Sequence, residues 1–181
     1  MFLSKLFGRK HKISEAIVIR TYETIVAAAR QTVIFSHWNV PDTPLGRFES
    51  LTLHMILFLR RTKDAGGGLA DLGQDVIEEF FKDVDHSLRE LGIGDASVPK
   101  RMKKMARMFY GRAAAYDGPV GAGDAAMLAN ALTRNVFPES NNWPEAVFFS
   151  AHALKVAKSL DGQADAAILE GGITFPVAAA D

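Results

Sequence analysis

Apolar residues recur at three- and four-residue intervals along most of this chain, a period that belongs to helices and not to strands. The first such run, residues 14–32, turns Ile17, Val18, Tyr22, Ile25, Val26 and Ala29 inward. Pro41 and Pro44 then flank Asp42 and Thr43, and Thr43 is placed to cap a helix whose first residue is Pro44. Residues 45–63 are apolar around most of the circumference and leave only a narrow polar strip of Arg47, Ser50, His54 and Arg61. Such a helix has to be covered on nearly every side, which makes it the predicted centre of the fold. Gly66 to Gly68 read as a flexible link. Residues 69–91 are amphipathic, with Val76, Phe80, Val84, Leu88 and Leu91 on the predicted core face and Gly92 and Gly94 in the turn that follows.

Three further helices complete the pattern. Ser97 is the expected cap, and Pro99 the first turn, of a helix over residues 98–116. The next spans 124–135, and the last spans 143–160 with Asn142 as its cap and Pro144 in its first turn. After Gln163 the chain is rich in Ala and Gly, with weak strand or coil character over 173–177. The expected fold is therefore all-α: a single domain of about six helices around the central apolar helix 45–63. Its expected parts are a basic amphipathic segment at 1–12, a helical domain at 13–163 and a tail at 164–181.

The helix at 98–116 is unusual because it carries six cations and no acid. Met102, Met105, Ala106, Phe109, Ala113 and Tyr116 share one face, while Lys100, Lys103, Lys104 and Arg107 share the opposite one. These four cations repel one another at three- and four-residue spacings, at a total cost of about 1–2 kcal/mol if nothing neutralises them. Something negative is expected against them: another helix of the same protein, a membrane surface or nucleic acid. Acids such as Glu78, Glu79 and Asp83 would serve the first of these. Met108 sits at the boundary between the two faces.

Net charge is zero over 181 residues and would conceal this island. Residues 1–12 hold four cations and no acid, residues 13–95 are acidic, and residues beyond 116 are acidic again. In the first twelve residues Phe2, Leu3, Leu6 and Phe7 share a helical side, followed by Arg9, Lys10 and Lys12 with Lys5 among them. That is the form of a short interfacial membrane anchor, though a frayed terminus or a short transit segment would look similar. No secretory signal is visible, and no apolar window approaches the roughly 20 residues that span a bilayer. Cysteine is absent, which excludes disulfides, thiolate metal sites and cysteine nucleophiles.

Catalytic chemistry finds little support. Asp83 and Asp85 resemble paired magnesium-binding aspartates, but lie mid-helix where such pairs follow a strand. The histidines at 37, 54, 86 and 152 lack the i, i+4 spacing of a helical zinc site, and His54 is expected to be a hydrogen-bonded core residue. Neither Gly66–Gly68 nor Gly92-Ile93-Gly94 follows a strand, so neither is a phosphate or dinucleotide loop. No nucleophile and base are paired. No enzyme, metal or cofactor is expected, and no DNA- or RNA-binding signature accompanies the basic helix.

Several segments together resemble the ubiquinol–cytochrome c chaperone family. They are Val40-Pro41-Asp42-Thr43 with Gly46-Arg47-Phe48, the run from Asp83-Val84-Asp85-His86 to Gly92-Ile93-Gly94-Asp95, Met105 with Phe109-Tyr110-Gly111-Arg112 through Tyr116, and Arg134-Asn135-Val136. The likeness covers roughly residues 20–160 and implies an all-α, non-enzymatic factor that binds newly made cytochrome b during assembly of the respiratory ubiquinol–cytochrome c reductase. It also implies a small partner assembly protein and, in mitochondrial members, contact with the ribosome. Without a convincing transit segment, this chain resembles a bacterial member, cytoplasmic and peripheral to the inner membrane.

On this basis the expected partner-binding residues are Lys100, Lys103, Lys104, Arg107, Met108, Arg112 and Tyr116. Asp42 and Arg47 join them, either shaping a groove or bridging across the helix start. Phe2, Leu3, Lys5, Leu6, Phe7, Arg9, Lys10 and Lys12 are the expected membrane contacts. The rival expectation is a peripheral helical protein that binds anionic lipid and has no protein client.

Overall fold

The computed structural model describes residues 13–140 and 142–180. Among these residues there are eight α-helices: α1 Glu15–Ala29, α2 Thr32–Ser36, α3 Pro44–Thr62, α4 Leu69–Glu90, α5 Val98–Ala122, α6 Ala125–Val136, α7 Ala146–Asp161 and α8 Asp165–Leu169. The fold is all-helical, as expected. The expected anchor residues Phe2, Leu3, Lys5, Leu6, Phe7, Arg9, Lys10 and Lys12 lie outside the described residues.

Helix α3 is the centre. Every residue from Phe48 to Phe58 is buried, and α1, α4, α5, α6 and α7 all pack against it. Its entry is fixed locally. The Thr43 hydroxyl accepts a hydrogen bond from the Gly46 amide at 3.1 Å, and Pro44 supplies the helical φ at a position that needs no N–H. The chain doubles back so tightly that a Cβ on Gly46 would stand 1.8 Å from the Pro41 carbonyl oxygen. Only glycine fits there.

Helix ends differ from the expected ones where tertiary contacts override local signals. The first run splits at Arg30 into α1 and the short α2, and buried Trp38 and Val40 follow. Helix α5 continues two turns past Tyr116, through Gly118 and Pro119, to a left-handed Gly123. Pro119 and Val120 are buried there, and Asp117 pairs with Arg60 of α3 and with Lys63 just after it, which holds the added turns in place. Ser97 makes no capping bond, because the chain is already turning at Gly94, whose carbonyl accepts from the Ser97 amide at 2.8 Å. Asn142 does not cap α7 either. Trp143 is buried, and its indole N–H donates to the Trp38 carbonyl at 2.7 Å, so the regular helix begins later, at Ala146.

The tail forms no strand. Two glutamine amides take the place of a neighbouring strand. Gln163 donates to the Thr174 carbonyl at 2.8 Å and accepts from its amide at 2.9 Å, while Gln31 accepts from the Ala178 amide at 2.7 Å. These bonds tie the tail to the helices where Ile173 and Ala178 bury their side chains.

Candidate partner-binding surface

The first half of α5 presents Lys100, Arg101, Lys103, Lys104 and Arg107 to solvent, while Met102, Met105 and Met108 pack partly buried against the core and Phe109 is wholly buried. Among the described residues no carboxylate comes within 4.0 Å of any of these five cations. The acids best placed to neutralise them are engaged elsewhere. Glu79 pairs with Lys82 at 3.0 Å, Asp85 with Arg89 at 2.7 Å, and Glu78 accepts from Gln74 at 3.0 Å. Asp83 accepts a 2.6 Å hydrogen bond from the Tyr22 hydroxyl, which ties α1 to α4. Burial and the Asp83 carboxylate together push the Tyr22 hydroxyl far above its ordinary pKa, so it donates at all physiological pH. Among the described residues no ion pair relieves the repulsion along the ridge.

Beside this ridge runs a groove of about 850 Å³ between the start of α3, the second half of α4 and the first half of α5. Its α3 wall is Leu45, Phe48 and Leu51, Val84 and Leu88 of α4 with Leu91 just after it form the second wall, and Met105 and Met108 of α5 close it. Leu45 is 52 % exposed and Leu91 59 %, so the floor is apolar surface left open to water. The apolar stripe of α4, expected to face the core throughout, is fully buried only as far as Val84. Leu88 is half-buried and Leu91 exposed, because the helix outruns the elements packed on it. Leu45, Leu91 and Ile93 are the site residues that periodicity alone misassigns or passes over. A stripe longer than its partners was the available signal.

The rim is polar. Arg47 donates from Nε to Asp42 Oδ1 at 2.6 Å, and that bond is the main reason the Asp42 carboxyl lies below, and the Arg47 guanidinium above, its ordinary pKa. The pair bridges the start of α3, and both residues line the groove. Lys104 and Arg101 form the opposite lip.

Arg112 and Tyr116, expected at the partner-binding surface, fall elsewhere. Tyr116 is 1 % exposed, and burial pushes its hydroxyl well above the ordinary value. Arg112 reaches inward to Glu49 of α3, donating from Nε to Oε2 at 2.6 Å and with its second nitrogen to Oε1, and also bonds the Met108 carbonyl at 3.2 Å. Burial pushes the 3 % exposed Glu49 carboxyl up, and the bonded guanidinium opposes it. These residues join α5 to the core and do not line the groove.

His54 meets its expectation. Its Nδ1 lies 2.8 Å from the Ser50 carbonyl, and burial lowers its pKa to about 4. His152 of α7 packs 6.2 Å away, ring centre to ring centre, and is lowered to about 4 by burial and by the neighbouring His54. Among the described residues no group of three or more His, Asp or Glu side chains could hold a metal ion, and no helix is long and apolar enough to cross a membrane.

Comparison with known proteins places these features in a wider set. The family model for the ubiquinol–cytochrome C chaperone matches residues 36–175. The chain is 25 % identical over 166 residues to ubiquinol-cytochrome-c reductase complex assembly factor 1 of Xenopus laevis, an alignment covering 90 % of this chain and 82 % of that protein. It also superposes on the crystal structure of the Cbp3 homolog from Brucella abortus with a TM-score of 0.84 and 53 % identity, covering 95 % of each chain.

Proposed function

The chain belongs to the ubiquinol–cytochrome c chaperone family, and from that premise we propose that it holds newly made cytochrome b in the α3–α4–α5 groove while the ridge of α5 rests on an anionic surface. It is an assembly factor of the ubiquinol–cytochrome c reductase. Cytochrome b is membrane-embedded, so before assembly its apolar helices need cover from water. An open apolar floor built from three separate helices meets that need, and thioethers at Met105 and Met108 let it conform to varied shapes. The observation that carries this reading is the exposure of Leu45 and Leu91 on one continuous groove.

The cytoplasmic face of the inner membrane is the proposed anionic surface, because each cation near anionic lipid contributes about 1 kcal/mol of attraction. Binding then requires no catalytic step and no cofactor.

Complementing a deletion strain with Leu45→Asp/Leu91→Asp tests the groove. Both residues are exposed, so the fold is retained. Assembled reductase is expected to fall while the variant protein and the other respiratory complexes keep their levels. Normal reductase in the variant overturns the reading. The unpaired ridge also fits a peripheral anionic-lipid-binding protein without a protein client, and that rival predicts the normal result.

A further inference from the structure

We infer that the groove takes an amphipathic helix bearing a row of acidic side chains along the edge that faces α5. This rests on the groove being the client site and adds the conformation and charge pattern of what enters it.

The conformation follows from the walls. All three are helices, so no sheet edge is offered to an extended chain. An extended segment on this apolar floor would bury unpaired peptide groups, whereas a helix satisfies its own. The groove therefore selects for a helix, with leucine-sized side chains at three- and four-residue spacing meeting Leu88, Leu91 and Met105.

The charge pattern follows from the two lips, which differ. On the α4 side Asp83 is engaged by the Tyr22 hydroxyl, and Glu90 Oε1 stands 3.1 Å from His86 Nε2. On the α5 side Arg101 and Lys104 have no acid within 4.0 Å among the described residues, and Lys100, Lys103 and Arg107 stand behind them. The two lips therefore differ in sign: Arg30 aside, the α4 side carries the Asp83 and Glu90 carboxylates, whose partners are a phenol and an imidazole, while cations without an acid partner lie along the α5 edge. An occupant with glutamates or aspartates on that edge gains from every α5 cation within reach and also relieves the repulsion among them. An occupant with lysines there adds to it. Sidedness of this kind fixes the direction in which a helix lies in the groove.

Two synthetic 20-residue Leu/Ala helices with identical apolar faces, one carrying a Glu row beside the stripe and one a Lys row, test this by fluorescence anisotropy against the full chain. At low salt the Glu peptide is expected to bind at least about tenfold more tightly, with the difference shrinking at about 0.5 M salt as screening sets in. Arg101→Glu/Lys104→Glu is expected to reverse the order. Equal affinities that are both lost in Leu91→Asp overturn the charge pattern and leave the groove standing. No binding by either peptide, or binding untouched by Leu91→Asp, overturns the groove and this inference together.

Discussion

Arg112 of α5 and Glu49 of α3 form a two-pronged ion pair inside the protein, with the Nε–Oε2 bond at 2.6 Å and almost no exposure of the carboxylate. It is the buried polar link between the central helix and the basic one, beside the more exposed Arg60–Asp117 pair, and Arg112 also bonds the carbonyl of the groove-lining Met108. Removing one partner strands the other charge in the interior. Glu49→Gln is therefore expected to cost about 3 kcal/mol in urea unfolding, and replacing both residues by apolar ones of similar volume to cost much less. Equal losses in the single and double variants would mean that packing, not the pair, joins the two helices.

The two core histidines make stability depend on pH. Each binds a proton near pH 6.5 when unfolded and only near pH 4 when folded. Above pH 6.5 both states are neutral and the histidines contribute nothing. As the pH falls from 6.5 to 4, the unfolded state takes up protons that the native state refuses, and stability declines. His54 alone accounts for about 3 kcal/mol of that decline. Thermal unfolding followed from pH 7 to pH 4 is expected to show a shallower fall in His152→Phe than in the native protein. Parallel curves would contradict the assignment.

Gly46→Ala is expected to destabilise by about 2–3 kcal/mol, because the new methyl meets backbone and not a side chain that can move aside. The same change at Gly111, which faces open space within α5, is expected to be neutral or slightly stabilising. Denaturant midpoints of the two variants check the contrast.

Reversing Lys100, Lys103, Lys104 and Arg107 to glutamate is expected to leave cooperative unfolding intact, since none of the four has an internal acidic partner among the described residues. At position 100, in the first turn of α5, a carboxylate is also well placed for the helix dipole. Association with anionic vesicles is expected to drop at least about a hundredfold, at about 1 kcal/mol per cation, and flotation with anionic and neutral lipid measures it. Loss of folding would show that the ridge is paired from within.

Much of the architecture was legible because its signals are local. The Thr43-Pro44 start of α3, its all-round apolarity and the two-faced pattern of α5 each follow from a short stretch of chain. What escaped depends on residues far apart. The last turns of α5, past the expected end at 116, are held where Asp117 meets Arg60 and Lys63. Asn142 reads as a cap until Trp143 is drawn to the Trp38 carbonyl. The candidate site divided in the same way. The outward cations of α5 were evident from periodicity, but Arg112, polar and next in the series, turns inward because Glu49 waits on another helix. Leu91 looked like core because a stripe does not announce where its partner ends.

The most direct test places a photo-crosslinking amino acid at position 91 in the groove and, as control, at the exposed position 147 on α7. Both full-length variants are irradiated in membranes that are synthesising cytochrome b. An adduct to newly made cytochrome b from position 91 and none from position 147 is the predicted result. Equal labelling from both positions, or an adduct from position 147 alone, would contradict the groove as the place where the client is held.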